Sequence, residues 1–195
     1  MTGSTNLKVA SLHDVELSAL AATGERPAFG ELVRRHGSAV RALLRRMGAQ
    51  PSEADDVAQD AFLTAFERIA EFRGEGTFVA WVKRIAARAY LRRLQKERKL
   101  GALAGDGLDE ETPDAAQSAP EANIDLDGAL RTLAAAERLC VSLCFGAGLS
   151  HAEAAEALNL PLGTVKSHVK RGLDKLRARL APGEGVALEG RRGNG

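Results

Sequence analysis

The chain is poor in aromatic residues, in cysteine and in long apolar stretches. Aromatic residues make up 4% of its 195 residues, so a hydrophobic core must consist mostly of leucine, valine and alanine. No apolar run approaches the roughly 20 residues that a membrane-spanning helix needs, and the first residues lack the apolar segment of a signal peptide. We therefore expect no membrane insertion and a cytoplasmic location.

Cysteine is limited to Cys140 and Cys144. Their spacing of four residues places both on one face of a helix, where small apolar side chains are most often part of the core. A redox switch or half of a metal site is the alternative, but no CxxC pair supports a zinc site. The sequence also lacks a nucleophile–base pair, so we predict no catalytic residue, no metal and no cofactor.

Opposite charges are segregated along the chain, although the net charge is only +1. Residues 83–100 contain eight basic residues against one acidic residue, residues 101–130 contain eight acidic residues and no basic one, and residues 161–180 contain six basic residues against one acidic residue. Two basic blocks separated by an acidic one indicate two surfaces that face nucleic acid and a tether that avoids it. Solvated helix faces are the alternative.

The apolar residues recur at steps of three and four, which predicts an all-α protein. We predict two small helical domains, at 25–100 and 124–181, joined by a flexible acidic linker at 101–123. An N-terminal segment with a short helix occupies 1–24, and 182–195 reads as a disordered tail. Ser52 with Asp55 and Ser150 with Glu153 have the spacing of capping boxes, and Thr77 is placed to cap a third helix.

The last two helices have the pattern of a helix-turn-helix. A short capped helix over Ser150–Asn159 is followed by a turn and by a basic helix that reaches Leu180. In such a motif the second helix lies in the major groove, and its first residues reach the base edges. The side chains that lie off its apolar seam can bind bases or phosphates: Thr164, Lys166, Ser167, Lys170 and Arg171.

The basic helix after Gly76 mixes aromatic and basic side chains. Phe78, Trp81 and Tyr90 lie among the basic residues. Aromatic faces stack on unpaired bases while basic groups follow the backbone, so this helix suits single-stranded or melting DNA. Core packing is the alternative for these aromatic residues.

An acidic run lies on the first turns of another helix: Asp55, Asp56, Gln59 and Asp60. Carboxylates repel DNA phosphates, and no histidine, cysteine or phosphate-binding loop accompanies them. We therefore interpret this run as a protein docking surface, with a solvated helix start as the alternative.

Three segments together resemble a sigma factor of the sigma-70 family, in the extracytoplasmic-function (ECF) group that keeps only regions 2 and 4. The segment 55–62 resembles the polymerase-binding helix of region 2, 72–86 resembles the segment that melts the −10 element, and 148–150 with 163–167 resembles region 4, which reads the −35 element. The likeness covers about residues 25–100 and 124–180.

The resemblance implies roles for residues at matching positions, and it implies three partners: core RNA polymerase, promoter DNA and an anti-sigma factor. Core polymerase would be bound by Asp55, Asp56, Gln59, Asp60 and Phe62. The −10 element would be bound by Gly74, Thr77, Trp81, Lys83, Arg84 and Arg88. The −35 element would be bound by Thr164, Lys166, Ser167, His168, Lys170 and Arg171.

Two other functions remain open at this point. A sigma-like decoy would bind an anti-sigma factor and not DNA, but it would not need the basic residues of the last helix. A LuxR-type regulator would share the helix-turn-helix, but it would not need the acidic docking helix. The sequence departs from the usual family pattern at four positions: Arg88, Arg92, Ala134 and His168.

Overall fold

The computed structural model describes residues 9–104 and 126–180. Most of the predicted acidic linker and the predicted disordered tail lie outside these residues, as do the first eight residues. Every regular element in the described part of the chain is a helix, so the predicted all-α fold is confirmed. No helix among the described residues is long and apolar enough to cross a membrane.

Four helices form the N-terminal group. They are α1 (Asp14–Ala22), α2 (Arg26–Met47), α3 (Pro51–Glu67) and α4 (Phe78–Ala104), with a short 3-10 turn at Ile69–Glu71 before α4. Helix α4 continues four residues beyond 100, into the segment predicted as linker. Gly48 ends α2 with a φ of 117°, which only glycine adopts without strain.

The N-terminal helix is tied to α2 by one carboxylate. Asp14 Oδ1 accepts a hydrogen bond from Arg35 Nη1 at 3.1 Å, and Asp14 Oδ2 lies 2.6 Å from His36 Nε2. Arg35 also donates to the backbone carbonyl of Leu12 at 2.8 Å. These contacts hold the start of α1 against the middle of α2.

The predicted capping box at the start of α3 is wrong in its residues. Gln50, not Ser52, is the extended residue before the helix, and its backbone N–H donates to Glu53 Oε2 at 3.4 Å. Pro51 occupies the first helical position because it has no N–H to satisfy, which leaves Ser52 already inside the helix. Ser52 and Asp55 are both exposed.

Four further helices form the C-terminal group. They are α5 (Leu126–Arg131), α6 (Ala135–Val141), α7 (His151–Leu158) and α8 (Leu162–Leu180), and a single π-type turn at Ser142–Gly146 extends α6. The predicted capping box of α7 is confirmed: Glu153 N–H donates to Ser150 Oγ at 3.2 Å, and Ser150 N–H donates to Glu153 Oε2 at 2.8 Å.

The two groups of helices share one apolar core, which the sequence analysis did not predict. Fully buried residues of α2, such as Leu43, lie in the same cluster as Cys140 and Leu143 of the C-terminal group. Leu43 approaches Gly146 so closely that a Cβ at Gly146 would lie 2.6 Å from Leu43 Cδ1. A larger residue in place of Gly146 would therefore have to displace the buried Leu43 side chain at the contact between the two groups.

Candidate nucleic-acid interface

Helix α8 has one buried face and one basic face. Val165, Val169, Gly172 and Leu176 are buried and fix the helix on α6 and α7. Of the predicted −35 residues, Thr164 and His168 are half-buried, and the others are exposed: Lys166, Ser167, Lys170 and Arg171. The structure thus brings the predicted −35 residues together on the N-terminal half of α8.

The turn between α7 and α8 orients that face. Asn159 ends α7 in the left-handed conformation with a φ of 53°, which asparagine tolerates better than most residues. The chain then turns so that the Thr164 N–H donates to the carbonyl of Pro161 at 3.0 Å. A short capped helix, a tight turn and a longer basic helix are the parts of a helix-turn-helix, as predicted.

Among the described residues, the basic side chains of α8 fall into two kinds. Lys166 and Lys170 make no ion pair there, so both charges face solvent. Arg171 Nη2 lies 3.0 Å from His168 Nδ1, and its Nε lies 3.5 Å from the buried carboxylate of Glu137 on α6. Lys175, one turn further, bonds the same carboxylate at 2.7 and 3.0 Å.

The aromatic residues of α4 have separate roles, which corrects the sequence analysis. Phe78 and Tyr90 are 1% and 3% exposed, so both belong to the core, and burial raises the pKa of Tyr90 to about 12. Only Trp81 is half-buried. The signal was present in the sequence, because Phe78, Val82, Ala86 and Tyr90 follow one another at steps of four residues, as one buried helix stripe does.

Trp81 lies at the edge of an aromatic cluster. Its ring centroid is 5.5 Å from that of Phe72 and 5.9 Å from that of Phe78, and Phe78 in turn packs edge-on against Phe29 at 6.3 Å. Such packing holds the indole in one orientation while part of it stays open to solvent. A tryptophan held in this way can stack on an unpaired base.

The loop before α4 is built for a tight turn. Gly74 and Gly76 have φ angles of 76° and 85°, in the left-handed region that residues other than glycine avoid. Thr77 caps α4, as predicted, because its Oγ1 accepts from the Ala80 N–H at 3.3 Å. Thr77 therefore lies one helical turn before Trp81, Gly74 lies three residues earlier in the loop, and both are exposed.

The basic residues of α4 meet the C-terminal group. Arg84 Nη2 donates to the carbonyl of Gly148 at 2.9 Å, and Arg88 Nη2 lies 3.8 Å from Glu153 Oε1. Further along, Gln95 Nε2 donates to the carbonyl of Ala157 at 3.1 Å. Two of the predicted −10 residues, Arg84 and Arg88, thus contact Gly148, three residues before α7, and α7 itself, while Lys83 is half-buried.

A groove between α2 and α3 lies beside the acidic run. Its apolar lining consists of Phe29, Val33, Phe62, Leu63 and Phe66. Its polar lining consists of Asp55, Gln59, Arg26 and Arg41, and Arg41 Nε lies 3.5 Å from Asp55 Oδ1. Asp55, Asp56, Gln59 and Asp60 are exposed, as a docking surface needs, but Phe62 is only 6% exposed and forms the floor. Leu63, which is 56% exposed at the groove, was not among the predicted docking residues.

The cysteines behave as core residues. Cys140 is buried and Cys144 half-buried, and both are free thiols. Burial raises the pKa of the Cys140 thiol to about 11 and raises that of Cys144, which keeps both thiols protonated at neutral pH. No group of three or more potential metal ligands occurs in the described part of the chain.

The structure combines a helix-turn-helix that exposes a basic helix with a helical bundle that contains a helix of basic and aromatic residues. Together these features define a DNA-binding protein that acts in transcription. Comparison with known proteins gives the family. Residues 32–100 match the family model described as Sigma-70 region 2, and residues 129–178 match that of Sigma-70, region 4.

Individual relatives agree with the family models. The chain is 35% identical over 175 residues to the RNA polymerase sigma factor NccH of Alcaligenes xylosoxydans xylosoxydans, and 86% of this chain and 94% of that protein are covered. It is 32% identical over 169 residues to the ECF RNA polymerase sigma factor SigE of Mycolicibacterium smegmatis, covering 82% of this chain but 65% of that protein.

One solved structure has the same fold. It is the sigma factor RpoE in complex with the anti-sigma factor NepR from Bartonella quintana, with a TM-score of 0.53 and 26% identity over 78% of this chain and 96% of that one. The chain belongs to the sigma-70 family of RNA polymerase sigma factors, in its ECF group. The match to region 2 favours this assignment over a LuxR-type regulator.

Proposed function

We propose that the protein binds core RNA polymerase, directs it to promoters with −10 and −35 elements, and assists in melting the −10 region. The observation that carries this proposal is the exposed basic face of α8, held by a capped helix-turn-helix within the part of the chain that matches region 4. The protein itself catalyses no reaction, and it acts in the cytoplasm, where polymerase and promoters are.

The exposed face of α8 reads the −35 element. Lys166, Lys170 and Arg171 donate hydrogen bonds to guanine or phosphate, and Thr164 and Ser167 supply hydroxyl groups. In this structure the Ser167 hydroxyl donates to the Gly163 carbonyl at 2.9 Å, so it rotates to reach DNA. His168 lies between these residues on the same face.

The Trp81 edge of the aromatic cluster binds the melted −10 strand. A base that leaves the duplex loses its stacking, which costs a few kcal/mol, and stacking on a protein aromatic ring returns about 1–3 kcal/mol. Gly74 and Thr77 form the rim of the pocket for this base, and the basic groups of Lys83, Arg84 and Arg88 hold the backbone beside it.

The groove between α2 and α3 receives core polymerase. Its apolar floor, with Phe62, provides contact area, and the acidic run beside the groove attracts basic groups of the partner, although Arg26 and Arg41 also line the groove. The residues of this run are Asp55, Asp56, Gln59 and Asp60. An anti-sigma factor is a second partner of the protein; the complex of RpoE with NepR supports this part of the proposal.

The proposed function requires the two helix groups to separate. The −10 and −35 elements are centred about 25 base pairs apart, which is roughly 85 Å of duplex. In this structure α7 contacts α4 directly through Arg88 and Gln95, so α4 and α8 cannot reach both elements at once. Core polymerase would hold the two groups apart.

The decisive experiment tests core binding and initiation separately. The full chain is mixed with core RNA polymerase of its host, complex formation is measured by gel filtration, and transcript 5′ ends are mapped on a pool of genomic fragments. We expect a stable complex and transcripts that share two sequence elements upstream. No complex with core polymerase would overturn the proposal, and a complex without initiation would favour the decoy function.

Two substitutions test the assigned surfaces. Lys170→Ala is expected to weaken −35 binding about tenfold, whereas Arg177→Ala, an exposed basic residue at the far end of α8, serves as the matched control. Trp81→Ala is expected to leave core binding intact but to slow promoter opening, and a template with a premelted −10 bubble should restore its activity. Unchanged transcription with both variants would contradict the site assignment.

A further inference from the structure

We infer that Glu137 is a positioning residue for reading the −35 element: its buried carboxylate fixes the guanidinium of Arg171 in one orientation toward the DNA. The inference rests on the proposed function. Glu137 itself cannot meet DNA, since it is 5% exposed and its charge has the same sign as a phosphate.

The carboxylate of Glu137 lies between α6 and α8, accepts hydrogen bonds from one basic residue of α8 and forms an ion pair with a second. Lys175 Nζ donates to both oxygens, at 2.7 and 3.0 Å, and Arg171 Nε lies 3.5 Å from Oε1. Burial acts to raise the pKa of Glu137. The hydrogen bond from Lys175 and the positive charges of Lys175 and Arg171 outweigh burial, so the pKa is lowered. The residue is therefore charged at neutral pH.

Arg171 is held on two sides although its side chain is 57% exposed. Its Nε faces Glu137, and its Nη2 lies 3.0 Å from His168 Nδ1. A free arginine side chain samples many rotamers and loses that freedom when it binds. A guanidinium that is already oriented loses less, and it can discriminate between bases because its donors have a fixed direction.

The spacing between α6 and α8 is fixed at the same point. A Cβ at Gly172, next to Arg171, would lie 2.8 Å from Val141 Cγ2 and 3.5 Å from Glu137 Cβ. The two helices therefore approach each other closely at Gly172, which keeps the backbone of Glu137 next to that of Arg171. This close approach places the Glu137 carboxylate within reach of the Arg171 guanidinium.

The experiment measures discrimination and not only affinity. The full chain with core polymerase is used to enrich duplexes from a random-sequence pool, after removal of those that core polymerase alone retains. The affinity for the enriched duplex is then divided by that for a scrambled duplex at the same salt concentration. We expect Glu137→Gln to lower this ratio about tenfold, which is within the effect of one well-oriented arginine–guanine pair.

A purely structural role for Glu137 predicts a different result. Removing a negative charge near the interface leaves non-specific binding equal or tighter, whereas damage to the fold would weaken both duplexes together. Asp174→Asn is the matched control, because Asp174 makes an exposed ion pair with Arg177 on the same helix at 3.0 Å. We expect the Asp174→Asn variant to keep the wild-type ratio of affinities for the enriched and the scrambled duplex.

A double-mutant cycle tests whether Glu137 acts through Arg171. In an Arg171→Ala background, Glu137→Gln should cause no further loss of the ratio. An equal loss in both backgrounds would overturn the inference. If Glu137→Gln does not fold, Glu137→Asp replaces it: the shorter side chain keeps a carboxylate on α6 but withdraws it from Arg171, so we expect the ratio to fall. A wild-type ratio with Glu137→Asp would also overturn the inference.

The failure of the inference differs from the failure of the proposed function. If the wild-type chain enriches no sequence beyond that of core polymerase alone, the proposed function is wrong and the inference falls with it. If the wild type enriches a sequence and Glu137→Gln shows the wild-type ratio, only the role of Glu137 is wrong.

Discussion

The basic faces of α4 and α8 carry similar side chains but have different surroundings. On α8, Lys166 and Lys170 face solvent, and the helix is supported from behind by α6 and α7. On α4, Arg84 and Arg88 contact the C-terminal group, at Gly148 and Glu153. The proposed −35 surface is therefore assembled in this structure, whereas the proposed −10 surface is partly covered.

This difference follows from the core and not from the charges. The contact between the groups is centred on Leu43, Cys140 and Leu143, which are at most 1% exposed. The polar contacts at Arg84 and Arg88 lie on the surface around it, where single ion pairs contribute about 0–1 kcal/mol. We therefore expect apolar substitutions to change the arrangement more than charge substitutions do.

The largest expected effect separates the aromatic residues of α4. Phe78→Ala should lower the free energy of unfolding by about 3–5 kcal/mol, because it removes a fully buried ring. Trp81→Ala should lower it by clearly less, because Trp81 is half-buried at the edge of the same cluster. Chemical denaturation followed by circular dichroism measures both. Equal losses would contradict the division into a core ring and a DNA-facing ring.

The contact between the two helix groups is tested at Gly146. Gly146→Ala places a Cβ 2.6 Å from Leu43 Cδ1, and overpacking of this kind costs about 1–3 kcal/mol. We expect the groups to separate more often, which small-angle X-ray scattering detects as a larger radius of gyration. Gly30→Ala is the matched control, since a Cβ there meets no atom within 4 Å. A radius unchanged in both variants would argue against the packed arrangement.

The helices themselves follow from local sequence, because each has an apolar stripe and most have recognisable ends. The start of α3 shows the limit of local patterns: Ser52 has a capping spacing, yet the helix begins at Pro51, two residues earlier than that cap predicts, and Gln50 takes the cap position. In the candidate site, the sequence predicted those residues whose role depends only on an exposed charge in a helix-turn-helix, such as Lys166 and Lys170.

The remaining features depend on contacts between residues far apart in the chain. The approach of Gly146 to Leu43 and the ion pair of Glu137 with Lys175 depend on shape after folding, and no local pattern encodes them. The burial of Phe78 and Tyr90 was encoded, in the four-residue steps that they share with Val82. Composition favoured a nucleic-acid role for these two residues because it counts aromatic residues without regard to the face they occupy.

The cap of α7 allows a smaller test on the α8 side. Ser150→Ala should lower the free energy of unfolding by about 1 kcal/mol, because it removes the oxygen that accepts from the Glu153 N–H at 3.2 Å. Ser52→Ala is the control, since Ser52 is exposed inside α3 and caps nothing. Thermal unfolding of the two variants side by side measures the difference. If Ser52→Ala destabilises as much as Ser150→Ala, the assignment of the caps is wrong.

The smallest expected effect on packing, and the sharpest comparison of the two faces, is at Arg88. Its guanidinium lies 3.8 Å from Glu153, and the two side chains are 54% and 38% exposed, so Arg88→Ala should change the packing of the groups by less than about 1 kcal/mol. The radius of gyration should stay that of the wild type, while binding of −10 DNA by the polymerase complex weakens because a phosphate contact is lost. If Arg88→Ala expands the chain as much as Gly146→Ala does, then charge and not the apolar core holds the C-terminal group over α4.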